Sequence, residues 1–148
     1  MVGMTLNLVK LCVGVDTVEE LEGWIAYRLD ERRRNDEPVE HFHTTRMIPK
    51  RVDELLDGGS LYWVIRGNIQ VRQRLLAVLP FRDSEGIRRC RLVLEPALVL
   101  TAWQPRRPFQ GWRYLETKEA PADMATGEDG FADLPAEFRQ ELAELGLL

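Results

Sequence analysis

The chain has 148 residues, 45% of them apolar and 30% charged, with a formal net charge of −4. That is enough to bury one core, and the balance is that of an ordinary globular chain, not a fibrous or disordered one. No apolar run reaches the ~18–20 residues a membrane-spanning helix needs, and the two cysteines, far apart at Cys12 and Cys90, give no disulfide framework and read as buried thiols of a cytoplasmic protein.

The start lacks a basic stretch followed by an unbroken apolar one, so it reads as mature sequence, not a signal peptide. Residues 4–13, MTLNLVKLCV, are apolar with polar interruptions and predict a first strand, ended by Gly14. DTVEELEGWIAYRLDERRR predicts an amphipathic helix, with Thr17 and Glu20 at capping-box spacing. Its buried stripe is Val18, Leu21, Trp24, Ile25 and Leu29. The closing Arg32-Arg33-Arg34 complements the helix dipole. A polar loop with Pro38 leads into a short strand at HFHTT. A two-turn helix follows at PKRVDELLDG, with Val52, Leu55 and Leu56 inward and Gly58 as its left-handed cap.

From residue 61 the apolar period becomes two. LYWVIR, then Gly67-Asn68, then IQVRQRLLAVL predicts a β-hairpin with Gly-Asn as the turn. Gln70, Arg72 and Arg74 fall on one face; Ile69, Val71, Leu75, Ala77 and Leu79, with Gln73, fall on the other. Pro80 is expected to end the ladder. IRRCRLVLE predicts another strand, Cys90, Leu92 and Leu94 inward and Arg89 and Arg91 outward, and ALVLTAW one more. Together these elements predict an α+β fold: a small, curved, mostly antiparallel sheet or open β-barrel with two early helices and a C-terminal helix. The expected organisation is a domain over residues 1–115, an acidic linker over 116–132 and a helix over 133–148, the last offering itself to a protein partner.

Charge is segregated along the chain. Residues 1–40 hold five cations against nine carboxylates, residues 41–113 thirteen against six, and residues 114–148 two against nine. The net values are −4, +7 and −7, and the sign of each segment is more informative than the whole-chain balance. Arginine greatly outnumbers lysine in the central block, and its planar fork grips phosphate and stacks on rings. Arg66, Arg72, Arg74, Arg89 and Arg91 are assigned to strands, outward by alternation, as one basic stripe. Residues 102–116, AWQPRRPFQGWRYLE, add Arg106, Arg107 and Arg113. They read as neither a clean helix nor a clean strand.

Trp103, Phe109, Trp112 and Tyr114, with Trp63, are the candidate stacking or pocket rings. Rings beside guanidinium groups hold single-stranded nucleic acid in many proteins, so RNA or another polyanion is the expected partner. The competing reading makes the rings core plugs with arginines stacked over them. Two further readings are a small-ligand or nucleotide pocket, and a protein-interaction domain whose basic centre is masked by its own acidic C-terminal region. Two histidines at HFH are too few for a zinc site without further ligands. Cys90 is turned from its flanking arginines, and no phosphate loop or nucleophile elbow is present. No catalytic residue, metal or cofactor is therefore assigned.

TLNLVKLCVGVDTVEEL, PKRVDELLDGGSLYWVIRGNIQVRQRLL, IRRCRLVLEPALV and RRPFQGWRYL together resemble a family of small bacterial proteins known only as a domain of unknown function, over about residues 4–121. That resemblance implies no activity. More distantly, the order of short helix, Gly-Gly, hairpin and further strands is similar to the PUA and ASCH group of RNA-associated domains, which implies a small open barrel with helices at its ends. The chain lacks the Gly-x-Lys and Glu-x-Arg motifs of the ASCH pocket, so the resemblance implies no hydrolase.

Overall fold

A computed structural model describes residues 5–124. In chain order it contains β1 (Leu6–Leu11), α1 (Val18–Arg34), β2 (His41–Thr45), α2 (Val52–Leu55), β3 (Ser60–Ile65), β4 (Asn68–Arg82), β5 (Arg88–Leu94), β6 (Val99–Pro105) and β7 (Trp112–Glu116), then a 3-10 turn at Thr117–Glu119. The strands form one open, mixed sheet in the order β2-β5-β4-β3-β1-β7, with β6 also paired to β4. Among the described residues only the β1–β3 pair is parallel. The chain between those two strands has to return to the starting end, and α1, β2 and α2 make that crossover. The fold is a small α+β fold, as expected.

β4 organises the sheet. Its first half pairs with β3 along one edge and with β6 along the other, while its second half pairs with β5. β5 and β6 therefore lie end to end beside it. Register shifts at Trp63/Val64, Ile69/Val71 and Leu75/Ala77 mark bulges, which bend a strand and increase its twist. They also break the expected alternation. Val71 and Leu75 enter the larger core with Leu8, Leu61, Trp63, Leu92 and Leu94, under Val18, Leu21 and Ile25 of α1. Ile69 instead joins Val9, Tyr62, Val64 and Leu115 on the opposite face, covered by Leu11, Phe109 and Ala120. Beyond the last bulge Val78 points inward, and Leu76 and Leu79 are exposed.

Other expectations are corrected. The hairpin turn is Arg66-Gly67, both at positive φ (50° and 82°), with Ile65 opposite Asn68. It thus begins one residue earlier than Gly67-Asn68. Pro80 stays in the ladder opposite Cys90. Residues 112–116, read as non-strand, are β7, paired antiparallel with β1. In α1 the cap holds: Thr17 Oγ1 accepts from the Glu20 amide at 3.1 Å. Trp24 is exposed, however, and lies face to face with Tyr27. α2 is a single turn with Leu55 buried and Leu56 exposed.

Residues 122–124 run along β6. The Ala102 amide donates to Ala122 O at 2.8 Å and the Met124 amide to Leu100 O at 2.9 Å. The remainder of the expected linker and the expected helix at 133–148 lie outside the described residues. Among the described residues no helix is long and apolar enough to cross a membrane.

Candidate functional site

The strand arginines differ in the partners they find. Arg72, across β3 from Tyr62, donates to both oxygens of Asp123 at 2.8 and 2.7 Å and to Ser60 Oγ at 2.9 Å. The Asp123 carboxylate, through that hydrogen bond first, raises the Arg72 pKa above its usual value. Arg89 donates to Asp83 at 2.6 Å, and that contact holds the Asp83 carboxyl below the usual range. The Arg91 guanidinium lies 4.1 Å from the Phe42 ring centroid and 5.2 Å from that of Phe81. Arg32 stacks on Phe42 as well, at 4.5 Å. Arg74 is exposed on β4, and Arg66 belongs to the turn.

Three arginines do converge. Gln104 and Pro105 end β6, and the Arg106 amide donates to Gly67 O at 2.8 Å. This bond ties the segment to the turn that carries Arg66. Gly111, at φ 70°, reverses the chain into β7, and an added Cβ there would stand 3.3 Å from the Met47 side chain. Arg113 leaves β7 on the face of Val9, its guanidinium carbon 5.2 Å from the Phe109 centroid. The result is a hollow of about 400 Å³ lined by Gln104, Pro105, Arg106, Arg107, Pro108, Phe109 and Arg113. Among the described residues no carboxylate lines it, and none of its three arginines is in an ion pair. Gln104 Nε2 donates to Glu119 O at 2.9 Å, and its Oε1 is buried without a partner among the described residues.

The expected stacking rings divide. Phe109 lines the hollow. Trp112 is buried, donates from Nε1 to Met47 O at 2.9 Å and meets Tyr114 edge-on. The Tyr114 hydroxyl accepts from the amides of Lys50 and Arg51 at 3.0 and 3.2 Å. Trp63 is buried and donates to Gln73 Oε1 at 2.8 Å, while Gln73 Nε2 donates to Glu95 O at 2.9 Å. Trp103 is half-buried on β6. Trp63, Trp103 and Trp112 line no common pocket among those described.

A protein-family model described as a protein of unknown function (DUF1489) matches residues 8–148. The chain belongs to that family. No curated protein and no solved structure matches it. The DUF1489 match spans both the arginine hollow and a second concavity, between α1 and β2, that the sequence reading did not anticipate.

This second space, of about 160 Å³, is lined by residues of β1, α1, β2 and Trp63, among them Cys12, Arg28, His41 and His43. Burial, then the positive charge of Arg28 for His41 and of Lys10 for His43, holds each imidazole pKa down to about 4. Burial pushes the Cys12 thiol up to about 11, so it is not a ready nucleophile. The spacing of His41 and His43 on one strand face was visible in the sequence. Their apposition to Arg28, on an element packed against them, was not.

Proposed function

We propose that this protein binds single-stranded nucleic acid, RNA foremost, in the cytoplasm, through the hollow formed by residues 104–113. The observation that carries the reading is the meeting of Arg106, Arg107 and Arg113 around one concavity with no carboxylate of the described residues in its wall. Each guanidinium grips phosphate oxygens in two places. The Phe109 ring and the Arg113 plane beside it offer a platform for a base, worth about 1–3 kcal/mol where a base stacks. Arg66, on the turn hydrogen-bonded to Arg106, is positioned to extend the phosphate track, and exposed Arg74 is free to add to the local field. Arg72, Arg89 and Arg91 already have internal partners and contribute less.

The test is titration of a labelled oligouridylate at several salt concentrations. Three phosphate contacts to a single strand predict a slope of log K against log salt of about −2. Replacing Arg106 and Arg107 with alanine should reduce it to about −0.7, while Arg89→Ala leaves it nearly unchanged. Absence of binding at low salt, or binding indifferent to salt, would overturn the reading.

A further inference from the structure

The compartment between α1 and β2 has apolar walls around three polar side chains, Arg28, His41 and His43, and no carboxylate of the described residues lines it. Among the described residues Arg28 is in no ion pair. It lines the same space as both imidazoles, and its charge helps hold their pKa values down. A cation next to two neutral imidazoles, at the mouth of a largely apolar space, favours negative charge there.

The compartment adjoins a wider groove of about 570 Å³ along the exposed side of α1. Val13, Val15 and Trp24 are walls of both. Trp24 and Tyr27 form the groove's aromatic side, their rings nearly parallel (6°) with centroids 5.7 Å apart. Trp24 is 53%, Tyr27 52% and Val13 86% exposed, an apolar patch that the described residues leave uncovered. Gly23 lies in the same groove. In mid-helix it costs about 1 kcal/mol relative to alanine, and nothing lies within 4 Å of where its Cβ would stand. Internal packing therefore does not require this glycine, and a side chain there would narrow the groove.

We infer that the paired compartment and groove bind a small monocarboxylate with an apolar, preferably aromatic, body. The carboxylate meets Arg28, His41 and His43 in the compartment, and the body lies against Trp24 and Tyr27. The small compartment takes a head group of few heavy atoms. A planar carboxylate matches one guanidinium in two places, whereas a phosphate dianion would need more cations and hydrogen-bond donors than these walls supply. Glu20, in the wall of the outer groove, opposes a second negative charge on the body. The charged and titratable groups around the imidazoles are Lys10 and Cys12 from β1 and Arg28 and Arg32 from α1, with the neutral Gln73 amide from β4. No acid is among them. A bound anion therefore raises the protonation of the imidazoles, and binding tightens as the pH falls from neutrality.

The experiment follows the histidine ring signals by NMR, with calorimetry, as the full chain is titrated with phenylacetate, with its neutral isostere phenylacetamide and with inorganic phosphate. Phenylacetate should shift both rings and bind about tenfold or more tightly than the amide, while phosphate leaves the rings unmoved. Arg28→Gln, an exposed position, should bring the acid and the amide to similar affinity. Trp24→Ala should weaken both alike. Replacing Arg106 and Arg107 should leave phenylacetate binding intact, which separates this site from the arginine hollow. Rings unmoved by millimolar phenylacetate, an acid-to-amide preference that survives in Arg28→Gln, or rings moved by phosphate alone would each overturn the inference.

Discussion

Single residues carry the two sites, and their roles depend on partners distant in sequence. Arg72 and Arg89 sit in similar strand contexts to exposed Arg74, yet their guanidinium groups are held by Asp123 and Asp83. The alternation that assigned them outward was sound; nothing in it announced a carboxylate 51 positions away. Arg66 shows the reverse case, a local signal read one position late. At φ 50° it occupies the left-handed region, where asparagine is at ease and a long side chain is strained. Arg66→Asn should raise stability by about 0.5–1 kcal/mol, read from urea midpoints. If Arg66 also touches phosphate, the same variant weakens oligonucleotide binding, so the two readouts move in opposite directions.

The histidines carry a further expectation. Each titrates near 4 in the folded protein and near 6.5 when unfolded. Between those values the unfolded chain binds protons that the native state refuses. Their contribution is complete above about pH 6.5 and is lost as the pH falls toward 4. The urea midpoint should drop across that window, and a midpoint independent of pH there would mean both imidazoles titrate freely in the native state.

Elements were legible where local chemistry decides them. α1 announced itself by its cap and apolar stripe, and the strand periodicity located β3, β4 and β5. Trp24 was misplaced because it lies at the margin of that stripe, where spacing alone does not say which side a large ring takes. The bulges in β4 were invisible, since each follows from pairing with two neighbours at once. β7 was hidden by the prolines and Gly111 just before it, although Trp112 and Tyr114 do alternate with Arg113 and Leu115. One junction is checked by a single methyl. A Cβ on Gly59 would collide with the carbonyl oxygens of Leu6 and Leu55, where α2 hands the chain to β3 beside β1. Gly59→Ala should therefore cost about 1–3 kcal/mol, seen as a lowered melting temperature. A neutral outcome would mean that α2 shifts freely against β1.

For the molecule as a whole, composition and period were enough to predict α+β with a curved sheet, and three arginines of the basic block, Arg106, Arg107 and Arg113, line one hollow. What they did not give was the parallel β1–β3 pair or the space between α1 and β2, because both depend on how the long crossover returns. β4 has one more implication. Fifteen residues long, it is shared by both lobes of the sheet and bonded along its length to β3, β5 and β6. Neither lobe can peel away and leave the other with its central seam intact. The hollow near one end of that strand and the histidine compartment, walled by β1 and Trp63 from one lobe and β2 from the other, are thus mounted on one mechanical spine, so a load placed on either is borne by both.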